Sequence, residues 1–318
     1  MKRFFKIILG LIFIVYLIVV TKAFFTDPVK ETRFSPRDKV DVIAHQGGAG
    51  IHPSNTLYAM QQASALRVDI LEMDVHRSAD GHLVLIHDDT VDRMTNGTGK
   101  VMEKTAAELI SLDTAYYFSP DPEYSNIRET KRRRQLKNQD SKYPLRGKGI
   151  RIPLLKEVFE AFPDKRMIIE IKQKSPSIAE QFCRLIRSYH RQQDILVGSF
   201  HQQAMDEFRE NCPDVPTSAT PREAVLFFVG SKLKLTRAFS SKATALQLPG
   251  AIKLPESLSF LGSIESISPG LVKEAHRKNM TIHVWTVNEP QEMKKLIDLQ
   301  VDGIMTDYPK RLIELEMN

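Results

Sequence analysis

The run DILEMDVHRSADGHLVLIH, Asp69 to His87, decides how this chain folds. It holds two strand-like segments, Asp69 to His76 and His82 to His87, separated only by Arg77-Ser78-Ala79-Asp80-Gly81. So short a link cannot hold a crossover between parallel strands, which takes roughly a dozen residues or more, whereas Asp-Gly is a strong hairpin signal. The second segment is therefore expected to lie antiparallel to the first. With Asp80-Gly81 as a two-residue turn, Ala79 faces His82 and His87 faces Asp74.

Outward from this hairpin, further strand patterns appear at Val40 to His45, Arg166 to Lys172, Ile195 to Phe200, Val215 to Ala219, Ala245 to Leu248, Thr281 to Val287 and Gly303 to Asp307. Helical periodicity fills many of the gaps, as at Asn55 to Ser64, Ser177 to Tyr189, Gln202 to Asn211 and Pro290 to Leu299. Such alternation predicts βαβ units and a parallel sheet. Once the hairpin strand is set aside, the count is that of an α/β fold of the (β/α)8 TIM-barrel type. An open doubly wound sheet is the alternative, and the absence of a G-x-G-x-x-G turn counts only slightly against it.

The chain has 318 residues, 42% of them hydrophobic, and only two cysteines. That composition excludes disordered, collagenous and disulfide-stapled classes. Its formal charge of +6 is unevenly placed. Lys131 to Arg151 carries nine basic residues against the single acid Asp140, a local +8, so the rest of the chain sums to −2. One compact basic segment, rather than a stripe along a face, argues against a nucleic-acid partner.

Phe4 to Phe25 is apolar apart from Lys6 and Lys22. As a helix it would span about 33 Å, the thickness of a bilayer core. Lys2, Arg3 and Lys6 lead it, which places the bulk of a single-pass membrane protein on the non-cytoplasmic side. The alternative is a cleaved signal peptide, with Ile7 to Val20 as its apolar region and Thr21-Lys22-Ala23 as the cleavage site, and a secreted or periplasmic product. The expected organisation is thus an anchor at 1–25, a polar tether at 26–39, and a barrel at 40–318 with an inserted subdomain at about 101–152. Cys183 and Cys212 read as two buried small hydrophobes, although export permits a disulfide.

Active sites of such barrels form at the carboxyl ends of the strands. His45 ends the first strand, and the two-residue period puts Glu72 and Asp74 on one face, with Glu170 and Lys172 repeating the pattern. Three inward carboxylates repel one another and need positive charge. Lys172 supplies part, and all-oxygen ligation predicts a divalent cation such as Mg²⁺ or Ca²⁺ for the rest. His45 and His87 would give the mouth one proton donor and one acceptor.

Together His45, Pro53-Ser54-Asn55-Thr56, Glu72-Met73-Asp74-Val75, Ile86-His87-Asp88, Arg93 to Gly99, Glu170-Ile171-Lys172, Val284-Trp285-Thr286-Val287-Asn288 and Asp302 to Pro309 resemble the glycerophosphodiester phosphodiesterase family. The resemblance implies hydrolysis of glycerophosphodiesters to glycerol phosphate and an alcohol, with a neighbouring substrate hydroxyl attacking phosphorus and water opening the cyclic phosphate. It implies His45 and His87 as the acid and base, Glu72, Asp74 and Glu170 as metal ligands, and Lys172, Gln46 and Trp285 on the substrate side. Two positions depart from the family pattern. Gln46 stands where an arginine is usual, and Ser54 where a glutamate is usual. An amide cannot make an arginine's bidentate phosphate contact, which puts substrate identity in question. A lysophospholipase D acting on lysophospholipids is the near alternative, and a non-catalytic membrane-tethered lipid-binding barrel the distant one. The basic segment Lys131 to Arg151 reads equally as a contact for anionic lipid or as a solvated loop, and the apolar run Ala224 to Leu235 reads first as a core-facing barrel helix, with lipid contact as the lesser alternative.

Overall fold

Val- and Ile-rich strands separated by helices bury both faces of a parallel sheet, and the computed structural model closes that sheet into a barrel. It describes residues 26–121, 142–253 and 263–317, with scattered positions between 10 and 21. The strands are β1 (Asp41–Ala44), β2 (Ile70–Arg77), β3 (Leu83–Leu85), β4 (Arg166–Ile171), β5 (Ile195–Gly198), β6 (Thr217–Ser218), β7 (Ala243–Pro249), β8 (Ala251–Lys253), β9 (Ser263–Glu265), β10 (Thr281–Trp285) and β11 (Gly303–Thr306). Eight of them pair in parallel in the order β1-β11-β10-β7-β6-β5-β4-β2, and β2 returns to β1. The ring is a (β/α)8 barrel, as expected. The small β8–β9 hairpin was not anticipated.

The helices are α1 (Leu57–Ala65), α2 (Ala106–Ile110), α3 (Leu155–Ala161), α4 (Ala179–Ser188), α5 (Gln202–Asn211), α6 (Pro221–Lys232), α7 (Pro269–Arg277), α8 (Pro290–Asp298) and α9 (Pro309–Glu316). Four of them open on proline, whose fixed φ suits the first turn. Thr220 caps α6 in a box with Glu223. Strand alternation sorts the core. Met73, Ile169, Ile171 and Val197 pack outward beneath the helices, while Ile43, Ile70, Ile168, Leu196 and Met305 fill the barrel interior.

β3 does pair antiparallel to β2, but one residue out of the expected register. Val75 faces Leu85 and Arg77 faces Leu83, so Ile86 rather than His87 reaches Asp74, through Ile86 N–H to Asp74 O at 3.2 Å. The loop holds three residues instead of two. Gly81 N–H closes a turn on Ser78 O, and Gly81 at φ +92° adds the left-handed residue of a bulge, so Ser78 pairs with His82.

Residues 26–39 are docked on the amino-terminal end of the barrel. Phe34 is fully buried against the interior layer, beside Arg166, whose guanidinium is paired with Asp41 at 2.6 and 2.7 Å. The described parts of the insertion supply Val101, Leu109 and Ile152 to a satellite apolar cluster shared with Val84, Ile86 and Leu154. Lys131 to Ser141, most of the basic run, lies outside the described residues, as does most of Phe4 to Phe25. Among the described residues no helix is long and apolar enough to cross a membrane.

The two cysteines require a correction. Cys183 of α4 and Cys212 at the end of α5 form a disulfide, with Cα atoms 5.5 Å apart. Consecutive barrel helices lie side by side, which brings residues separated by 29 positions into bonding range.

Candidate active site

β1 ends at Ala44, and the backbone then folds into a tight turn, with Gln46 at φ 49° and Gly47 at φ +81°. A Cβ on Gly47 would stand 2.7 Å from that of Ala59, so this turn can approach α1 only through glycine. The turn aims the His45 ring into the barrel mouth. His45 Nδ1 lies 2.6 Å from Asp307 Oδ1, just past β11, and Asp307 Oδ2 accepts a bond from Asn288 Nδ2 at 2.8 Å. Asp307 thereby fixes the imidazole and leaves Nε2 for a bound molecule.

β2 and β4 are in a register that pairs Asp74 with Glu170 and Glu72 with Ile168. Glu72, Asp74 and Glu170 consequently converge, with carboxylate oxygens within 4.8 Å of one another. Lys172 Nζ reaches Glu170 at 2.9 Å and Asp74 at 3.2 Å. Burial, with the charge of Asp74 beside it, pushes Glu72 up to about 8, and burial likewise raises Glu170. For His45 burial works the other way, but the Asp307 bond and the charges of Glu72 and Asp74 outweigh it and hold the ring up at about 9. Burial also opposes the charge on Lys172, and Asp74 and Glu170 overcome it to raise this lysine. If all three carboxylates are ionised, as ligation requires, they outnumber the Lys172 ammonium beside them. The cluster's all-oxygen donors fit a hard divalent cation.

His87 stands across the mouth, and its Nδ1 lies 2.8 Å from Asp88 Oδ1. Burial of Asp88 is overcome by its bonds to His87 and Arg93, which hold it well below the usual carboxylate range. Because β3 ends at Leu85, His87 has left the ladder, and it shares the cavity with His45 despite the register slip. The cavity measures about 440 Å³ and is lined at its polar end by His45, Glu72, His87, Glu170 and Lys172. Trp285 and Phe200 meet edge to face at 5.7 Å on its wall, and Ala224, Val225 and Phe228 of α6 line another side.

Gln46 is placed differently from the other expected substrate residues. Its backbone N–H donates to Glu72 at 2.8 Å and its Nε2 to Asp74 at 2.7 Å, so its amide serves the carboxylates. Asn55, at φ 57°, adds a second donor to Asp74 at 2.9 Å and accepts from the Asp74 backbone N–H. Ser54 is buried and lies beside Met94. Asn55, Asp88, Asn288 and Asp307 received no role from the sequence. All four occur within the quoted motifs, and that was the available signal.

The model of the glycerophosphoryl diester phosphodiesterase family matches residues 45–311. The chain belongs to that family. Family membership makes it an enzyme, a phosphoric diester hydrolase, which sets aside the non-catalytic barrel. A glycerophosphodiester phosphodiesterase of Caldanaerobacter subterraneus is 30% identical over 282 residues, which cover 87% of this chain and 98% of that protein. A human lysophospholipase D is 28% identical over 85% of this chain and 84% of its own length. Among solved structures, the family domain of a Mycobacterium tuberculosis protein superposes with a TM-score of 0.70 at 17% identity, covering 88% of this chain and 99% of that one. A phosphodiesterase of Oleispira antarctica, solved with its product sn-glycerol-3-phosphate, reaches 0.60 at 21% identity, covering 87% and 96%. Both structures confirm the barrel fold.

Proposed function

We propose that the enzyme hydrolyses glycerophosphodiesters to glycerol phosphate and a free alcohol. The observation that carries this reading is the convergence of two imidazoles, each tied through Nδ1 to a carboxylate, on three carboxylates and a lysine in one cavity. The glycerol phosphate held by the Oleispira relative agrees with it.

Glu72, Asp74 and Glu170 would hold a divalent cation, Mg²⁺ or Ca²⁺, which supplies Lewis acidity at the phosphate oxygens when bound. Lys172 contacts the phosphate and offsets the charge that grows on it. His87 Nε2 takes the proton from the glycerol hydroxyl as its oxygen bonds to phosphorus. His45, whose protonated form the Asp307 bond favours, delivers a proton from Nε2 to the departing alcohol oxygen as its P–O bond breaks. Water then opens the cyclic phosphate with the two roles exchanged. Trp285 and Phe200 wall the cavity on the substrate side.

The apolar wall of the cavity, with Val225, Phe228 and Leu248, favours a second reading, a lysophospholipase D that takes one acyl chain. We further propose that Phe4 to Phe25 anchors the enzyme in a membrane with the barrel on the non-cytoplasmic side, or, if cleaved, directs it to the periplasm or outside. The Cys183–Cys212 bond supports an oxidising compartment. The test is turnover of glycerophosphocholine and of lysophosphatidylcholine by the full chain, with and without chelator. Chelator-sensitive release of choline is expected. No release from either substrate with Mg²⁺ or Ca²⁺ restored defeats the hydrolase mechanism, and the ratio between substrates decides between the two readings.

A further inference from the structure

Helices on the outside of a barrel normally turn polar side chains to water, and α4 and α5 do so with Glu180, Arg184, Gln203 and Asp206. Helix α6 does not. Phe227 is its fully buried contact with the core, while Val225, Leu226, Val229 and Leu233 are 62%, 56%, 47% and 61% exposed. Their spacing puts them on one stripe facing away from the barrel. We propose that this stripe of α6 docks the catalytic barrel on the surface of a phospholipid bilayer containing anionic lipid.

Three observations select a bilayer as the occupant. The first is charge. Arg222, Lys232, Lys234 and Arg237 are exposed along the stripe, whereas Glu223 is turned inward onto Arg209 at 2.9 and 3.0 Å. Apolar side chains framed by basic ones are the pattern of an interfacial helix. The second is continuity with the site. α6 starts at the carboxyl end of β6, and Ala224, Val225 and Phe228 line the cavity, so the stripe runs from the mouth down the side of the barrel. The third is where the apolar amino-terminal sequence joins the body. Lys278 Nζ donates to the carbonyls of Thr26 and Asp27 at 3.2 and 3.3 Å. Lys278 follows α7, which is tied to the foot of α6 through Thr236 and Glu274. Thr26 and Asp27 therefore lie beside the far end of the same stripe, and one flank of the molecule carries the start of the docked segment 26–39, the apolar face and the edge of the mouth.

This placement rests on the membrane reading of Phe4 to Phe25 only for the third observation. Full-length chain is reconstituted into vesicles of phosphatidylcholine mixed with phosphatidylglycerol, whose acyl chains are brominated near the headgroup. L226W reports on the stripe, M102W on an exposed site elsewhere on the barrel, and the unsubstituted chain gives the background of Trp285. Quenching of L226W about twofold or more above that of M102W is expected, reduced by V229E and by leaving out phosphatidylglycerol. Equal quenching of the two probes overturns the proposal, as does a second copy covering the stripe, seen as L226W–L226W proximity without quenching. Turnover of glycerophosphocholine by the same samples, which requires no surface, separates failure of docking from failure of the hydrolase reading. Alkaline extraction of the vesicles reads the anchor separately.

Discussion

Asp307 and His45 are bonded at 2.6 Å across 262 residues of chain, and the other oxygen of Asp307 is committed to Asn288. Asn288 Oδ1 accepts from Asp307 N–H and Thr306 Oγ1, which fixes its Nδ2 as the donor toward Asp307.

D307N therefore cannot simply substitute one acceptor for another. The new amide must turn its oxygen to Asn288 and its NH2 to His45, so the imidazole has to accept at Nδ1 and carry its proton on Nε2. The pairing that raises His45 is lost as well. Turnover is expected to fall about 10²- to 10⁴-fold with little change in stability, and the limb of the pH–rate profile due to His45 should move down. An unshifted profile with wild-type turnover would remove His45 from the proton-transfer role.

Protons and metal compete at Glu72. Its folded value of about 8 lies above that of a free glutamate, so the empty cluster loses stability as pH rises from the normal carboxylate range through about 8. Cation binding needs the deprotonated form. Affinity for Mg²⁺ or Ca²⁺ is expected to rise between about pH 6 and 8 with uptake of the ion releasing protons, measurable by calorimetry in buffers of different ionisation enthalpy. An affinity independent of pH over that window contradicts the assignment of Glu72 as a ligand.

Phe34 lies at the end of the barrel opposite the cavity. F34A should cost about 3–5 kcal/mol of stability, the usual loss for emptying a fully buried aromatic site, and leave the Michaelis constant for glycerophosphocholine unchanged. Denaturant titration and steady-state kinetics on one preparation check both halves.

Reducing Cys183–Cys212, or replacing both residues by alanine, should lower stability by about 2–4 kcal/mol through the unfolded state, with the site untouched. A melting temperature unaffected by reductant would mean that the thiols are unpaired in solution.

The strands and the polar core of the site were legible because a period of two is a local signal. Glu72 with Asp74, and Glu170 with Lys172, declare their shared face within three residues each. The residues that aim them were not. Asp307 reaches His45, and Asn55 reaches Asp74, only after the barrel closes. Register at the hairpin failed for a local reason, since Gly81 is a bulge residue rather than half of a two-residue turn, and one extra residue shifts every pair. Pairing of the cysteines depends on the lateral packing of α4 and α5, which spacing does not encode. Phe34 sits in a polar segment and carries no periodicity that marks it as buried.

The barrel closes by laying its last strand, β11, beside its first, with Ala44 opposite Thr306. His45 follows the one and Asp307 the other, so the imidazole acquires its orienting carboxylate at the moment the ring is sealed. A ribosome must deliver nearly the whole chain before that can happen. Hydrolytic competence is thus withheld from every unfinished molecule, and turnover serves as a readout that the first and last strands of the barrel have found each other.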